Sequence, residues 1–238
     1  MSRDYSSFST AVKSRFRPVA NALGYEQLSP VVYAKARNGW YETFNLQASS
    51  GSDFFYVNYG ITIPNLCPVG EDQSILTCGQ LIWNRLSDSD GTGGFPRGTT
   101  KEIEASATRI IEQYDKKAIP WFETLCSWDA IAAEYLRVNP ISESQVGSHS
   151  SRFGEGPRSA TYAYLLLKSG RVDDAHRWLT EAERILSLPE YITRDGRLVH
   201  EKEKHARLQK PEEYQVQTLQ NVRATLELLN GKSHRYRT

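Results

Sequence analysis

The chain is expected to be an α+β protein: an antiparallel sheet of three to four strands, an N-terminal helix packed on one face, and a mostly helical C-terminal half. Three observations predict this. Asn38-Gly39 separates two strand-like runs, Val31–Arg37 and Trp40–Ala48, and Asn-Gly is the strongest short-range signal for a two-residue hairpin turn. After the Ser49–Asp53 loop, Phe55, Val57, Tyr59, Ile61 and Ile63 alternate with Phe54, Tyr56, Asn58, Gly60 and Thr62, and Pro64 ends the run. Beyond residue 157 the apolar residues recur at helical spacing.

The turn predicts a register. With Arg37 opposite Trp40, Lys35 faces Glu42, Tyr33 faces Phe44 and Val31 faces Leu46, all on one side of the sheet. The expected contacts are an ion pair between Lys35 and Glu42, Arg37 over the Trp40 indole, an aromatic pair and an aliphatic pair. The opposite face then presents Tyr41, Thr43, Asn45, Gln47, Tyr56 and Asn58, beside Val32, Ala34 and Ala36.

The remaining elements follow in order. A helix is predicted over residues 4–23, with Phe8, Val12, Phe16 and Val19 as its apolar stripe and Gly24 as its stop. A fourth strand is expected within Ile75–Leu86, where the alternation is poor. Ser87–Thr100 is turn-rich, and Thr99 with Glu102 forms a capping box for a helix over residues 100–117 whose inward side carries Ile103, Ala107, Ile110, Ile111 and Tyr114. Ser127 caps a short helix through Leu136. Residues 140–157 are rich in Ser, Gly and charge. Helices over 158–168, 172–186 and 212–229 follow, with a charged, solvated helix at 194–210 and a frayed tail after Gly231. This divides the chain into an α+β domain (1–138), a linker (139–157) and a helical extension (158–238).

With 238 residues, 39% of them apolar, the chain is long enough to bury a sizeable core. A net charge of +1 argues against a dedicated nucleic-acid binder. Cys67, Cys78 and Cys126 have no metal-type spacing and leave one thiol over in any disulfide scheme, which points to a reducing compartment. No apolar run has the length of a membrane span, and the polar first residues do not resemble a signal peptide, so a cytoplasmic location is expected.

Known chemical motifs fit poorly. Gly93 to Lys101 has the two glycines of a phosphate loop, but Thr99 stands where the lysine belongs and Pro96 removes a backbone donor. Asp88, Asp90 and Thr92 imitate the start of a calcium loop, yet Thr99 at the twelfth position has no carboxylate. None of the histidines forms a metal-type pair, so no metal, cofactor or catalytic set is expected. Glu42 is the exception worth weighing. A carboxylate on the inner side of its strand, beside aromatic walls, suits a general acid or base; a structural pair with Lys35 at the sheet margin is the preferred reading.

The order of features resembles a known family. A helix precedes Gly24-Tyr25, then come the Trp40–Gln47 and Phe54–Gly60 strands, Trp83-Asn84-Arg85-Leu86, and a helix ending in Ile119-Pro120-Trp121-Phe122. Over roughly residues 4–137 this is similar to domain-of-unknown-function family 4304. The resemblance implies a small bacterial α+β domain, brings no catalytic residues with it, and by analogy suggests an immunity-type role. Separately, Gly170, Ala175, Leu179 and Ala182 are similar to part of a tetratricopeptide hairpin, but without a second copy an ordinary helical hairpin is the simpler reading. The leading expectation is a non-enzymatic interaction protein that meets a protein partner through the Tyr, Asn and Gln face. The alternatives are an enzyme using Glu42, burial of that face by the C-terminal helices and, as the weakest, nucleic-acid binding through Arg194–Lys210 and the His234–Arg237 tail.

Overall fold

The structure is a computed structural model that describes residues 5–48, 54–70, 73–86, 94–96, 99–141, 155–192, 198–199, 202 and 206–235. The elements are α1 (Tyr5–Ala22), β1 (Glu26–Ser29), β2 (Val32–Ala36), β3 (Tyr41–Ala48), β4 (Phe54–Thr62), α2 (Ile75–Cys78), β5 (Ile82–Leu86), β6 (Phe95–Pro96), α3 (Thr100–Gln113), a π turn (Tyr114–Ala118) and α4 (Ile119–Thr124). These are followed by α5 (Trp128–Val138), α6 (Glu155–Lys168), α7 (Val172–Ser187), β7 (Glu190–Ile192), β8 (Leu198–Val199), β9 (Arg207–Gln209) and α8 (Glu213–Arg235). They group into two compact units. The first holds residues 1–64 and 72–126; the second holds 65–71 and 127–238.

The first unit is built on a six-stranded antiparallel sheet of order β1-β2-β3-β4-β5, with β6 also paired to β4. The turn is where the sequence places it. Gly39 takes φ +90, and the Arg37 amide donates to the Trp40 carbonyl at 2.8 Å. The register follows, with Lys35 opposite Glu42 and Tyr33 opposite Phe44. Two strands were not foreseen. Glu26–Ser29 joins β2 through an irregular pairing, and Phe95–Pro96 contributes only two residues, so neither carries a readable alternation. The expected strand within 75–86 is confined to its last five residues, because Ser74 caps a helical turn at Ile75–Cys78.

The inward positions of β2 to β6 form the core, where Tyr33, Phe55, Val57, Ile61, Ile82, Leu86 and Phe95 are buried. α1 and α3 cover this face. Phe16 packs on Phe44 with ring centroids 5.8 Å apart, and Tyr114 reaches the same ring at 6.0 Å. Gly24 ends α1 in the left-handed region (φ +82). Thr99 caps α3, its hydroxyl accepting from the Glu102 amide at 3.2 Å. The helix does not stop at Lys117: it widens into the π turn and continues as α4, placing Trp121 and Phe122 against Tyr59 at 5.4 and 5.9 Å.

In the second unit α6 and α7 form a hairpin. Gly170 (φ +78) closes α6 with the Arg171 amide donating to the Leu166 carbonyl at 2.9 Å, the bond pattern of a Schellman end. Small residues line the helix seam: Ala163, Ala175 and Ala182 are fully buried, and a Cβ on Gly156 would lie 2.9 Å from Leu186 Cγ. α5 packs on α6, and α8 packs on α7, where Arg223 Nε donates to Glu183 at 2.8 Å. Two expectations are corrected. The charged stretch around 194–210 is not helical where described but supplies β8 and β9, which flank β7 in a three-stranded sheet. Short Tyr-Ile and Leu-Val pairs, which favour extended backbone, decide this against the charge pattern. The tail does not fray at Gly231 either, since α8 runs to Arg235. Of the expected linker 139–157, residues 142–154 lie outside the described residues.

None of the described helices is long and apolar enough to cross a membrane. Gly60 tests the packing of the sheet most directly. A Cβ there would lie 2.3 Å from the Ile82 carbonyl oxygen and 3.0 Å from Trp83 Cα. Gly60→Ala is expected to lower unfolding free energy in urea by about 2 kcal/mol through overpacking between β4 and β5.

Candidate functional site

The outward face of the sheet is ordered in rows set by the strand pairing. Val32, Asn45, Asn58 and Arg85 form one row; Ala34, Thr43, Gly60 and Trp83 form the next. Tyr41 pairs with Thr62, and Gln47 with Tyr56. The six residues expected to share this face therefore do share it, but they differ in exposure. Thr43 is buried, donating to the Gly60 carbonyl at 3.1 Å and accepting from Gln80 Nε2 at 3.1 Å. Asn58 is also buried, its amide donating to Gln47 Oε1 at 3.3 Å. Tyr41, Asn45 and Tyr56 are half-buried and Gln47 is exposed.

The centre of the face comes from two residues that the sequence reading passed over. Trp83 is 52% exposed, and Arg85 lies beside it with its guanidinium carbon 5.7 Å from the indole. The same carbon sits 4.3 Å above the Tyr56 ring, and Arg85 Nε donates to Asn58 Oδ1 at 3.1 Å. The signal was present: Ile82, Asn84 and Leu86 alternate with Trp83 and Arg85, but only over five residues, and the helical turn before them obscured it.

On the inward face Glu42 is almost fully buried. The expected Lys35–Glu42 pair does not form. Arg37, just past the end of β2, reaches diagonally instead, its Nε donating to Glu42 Oε1 at 2.6 Å with Nη2 on the same oxygen. Its guanidinium is thereby committed to the carboxylate rather than to the Trp40 indole. Lys35 is left with Nζ 5.7 Å from the Tyr25 ring. The Tyr25 hydroxyl donates to Glu42 Oε2 at 2.8 Å and contacts the Tyr114 hydroxyl. Because Tyr25 spends its one proton on the carboxylate, Tyr114 must be the donor to Tyr25. The result is a relay of Tyr114, Tyr25, Glu42 and Arg37. Burial, reinforced by the neighbouring Tyr114 and Glu42, holds the Tyr25 hydroxyl far above its ordinary ionisation range. Burial raises Tyr114 as well.

A crevice beside this relay is lined by Phe16, Val19, Phe44, Ile111, Tyr25 and Tyr114, with Glu42 outside its walls. Its volume is about 20 Å³, room for one water molecule. The described residues contain no cluster of His, Cys, Asp and Glu able to hold a metal ion. The phosphate-loop and calcium-loop look-alikes fall largely outside the described residues.

The fold and site thus define an α+β domain with a buried carboxylate–tyrosine relay on one side of its sheet and an aromatic-stacked arginine on the other. Residues 16–124 match the family model for a domain of unknown function, DUF4304, a segment that takes in the whole main sheet, the end of α1, and α3 to α4. No curated protein and no solved structure matches the chain.

Two outcomes test the relay. Arg37→Ala strands a buried carboxylate and is expected to cost about 2 kcal/mol, below the range for a fully enclosed pair because Arg37 is 44% exposed. Lys35→Ala, which breaks no ion pair, is expected to cost less than about 1 kcal/mol in the same denaturation assay. The tyrosines carry a pH signature. In the unfolded chain both ionise around 10.0, while the folded chain keeps them protonated. Their contribution to stability is therefore complete below that value and is lost as pH rises through it, by about 1.4 kcal/mol per pH unit per group. The double variant Tyr25→Phe, Tyr114→Phe should lose stability less steeply than wild type above pH 10.0; an unchanged slope would show that the pair does not titrate as described.

Proposed function

We propose that the first unit is a non-enzymatic bacterial interaction module, immunity-type in character, that meets a protein partner through the outward sheet face. The observation that carries this reading is Trp83, half exposed beside an arginine already stacked on Tyr56. Keeping an indole in water is unfavourable, and Trp, Tyr and Arg are the side chains that concentrate binding energy at interfaces. Around them Gln47, Asn45 and Tyr41 supply hydrogen-bonding groups of the kind found on interface rims. The reading places the protein in the cytoplasm, in keeping with its three unpaired thiols.

The enzymatic alternative, with Glu42 as acid or base, has weaker support. The carboxylate is already bonded to Tyr25 and Arg37, and the adjacent crevice has no room for a substrate.

Affinity capture from the native host tests the proposal. The wild-type chain is expected to retain a protein that Tyr56→Ala combined with Trp83→Ala loses by at least about thirty-fold in affinity, the effect of removing an interface hot spot. Equal retention by a double variant with unchanged circular dichroism would overturn it.

A further inference from the structure

Several of the described arginines are held by carboxylates. Arg15, Arg37, Arg137, Arg171, Arg184 and Arg223 each lie within ion-pair distance of a carboxylate. Arg85 does not. Its contacts are the Tyr56 ring, the Trp83 ring and the amide oxygen of Asn58. The Asn58 amide is itself turned by Gln47, which accepts from Nδ2 and leaves Oδ1 directed at Arg85. Of the five guanidinium N–H donors, Nε–H is engaged, whereas the Nη groups bond to no protein atom among the described residues.

This arrangement has a chemical direction. Stacking on aromatic faces restrains the guanidinium plane without neutralising its charge, and the Asn58 bond fixes its in-plane orientation. The side-chain entropy normally lost on binding is therefore partly lost beforehand. A planar fork of N–H donors matches the two oxygens of a carboxylate. Among the described outward positions the paired residues of β2 to β5 carry no Asp or Glu, and the one carboxylate, Glu26, lies at the opposite edge of the sheet in β1. β5 also ends the strand order, so a loop can approach the clamp from the sheet margin.

Resting on the interaction-module reading above, we infer that Arg85 receives a carboxylate, the Asp or Glu side chain of a partner protein, with Trp83 covering the apolar residue beside it. A single cation among the described outward positions of β2 to β5 and a net charge of +1 disfavour a polyanion, since nucleic-acid surfaces neutralise several phosphates in a row.

The experiment is a titration of the full ¹⁵N-labelled chain, following the Arg85 Nε–H and Trp83 indole N–H signals. The probes are acetyl-Leu-Glu-Leu-amide, its Gln counterpart, inorganic phosphate and a ten-residue oligothymidylate. The Glu peptide is expected to shift both signals and to bind at least about tenfold more tightly than the Gln peptide. Arg85→Lys, which keeps the charge but loses the fork, is expected to lose at least about tenfold in affinity for the Glu peptide with the fold unchanged. Equal binding of both peptides, no response to either, or indifference to Arg85→Lys would overturn the inference. So would tighter binding of phosphate or oligothymidylate, which would mark the clamp as an anion or single-strand site. Capture from the host separates this failure from that of the module itself. If Arg85→Gln still retains the partner that the Tyr56, Trp83 double variant loses, the carboxylate inference falls and the interaction surface stands.

Discussion

The hydrogen bond between the Arg37 amide and the Trp40 carbonyl constrains everything else in the first unit. Side chains alternate across a strand with a period of two, so the turn decides which half of each strand looks inward. A slip of one residue would carry Phe44 and Leu46 to the outside and bring Asn45 and Gln47 into the core. The register, with Tyr33 opposite Phe44, instead puts the aromatic cluster of Phe16, Phe44 and Tyr114 beneath α1 and α3. It also separates the two polar systems of the sheet, the Glu42 relay inside and the Arg85 clamp outside.

Those two systems show how environment assigns a role to the same side-chain type. Arg37 stands at the sheet margin, close enough to a buried carboxylate that leaving Glu42 unpaired would be costly, so its charge is consumed by the fold. Arg85 meets no carboxylate among the described residues. Its charge is held in place by π faces and an amide, interactions that orient a cation but leave it able to attract an anion. The first arrangement stabilises; the second keeps binding capacity in reserve. Tyr25 and Tyr114 extend the inner system: Tyr25 donates to Glu42 and Tyr114 donates in turn to Tyr25, which satisfies a carboxylate with little water access.

Much of this was legible in the residues. Asn38-Gly39, the odd-numbered apolar run of β4, the Thr99 cap and the helical stripes of α3, α6, α7 and α8 each rest on contacts close in sequence, and each appears where its pattern places it. Short pieces were not legible. β1 and β6 have four and two residues, and five residues of β5 follow directly on a helical turn, too few for a period to show. The charged stretch before α8 misled for a related reason, since its strands are two or three residues long.

Taken alone, the amino-acid order determined the hairpin register, the faces of the longer strands and the places of the longer helices, because turn geometry and side-chain periodicity act between near neighbours. It determined that Glu42 points inward and that Tyr56 and Asn58 point outward. Only the tertiary structure decided which partners those groups take. Choosing Arg37 over Lys35 for Glu42, adding Tyr25 and Tyr114 to it, and stacking Arg85 between Tyr56 and Trp83 depend on distances across strands and between sheet and helix. Long side chains reach diagonally as easily as straight across, so their pairing is settled by local space and desolvation, which exist only once the chain has folded.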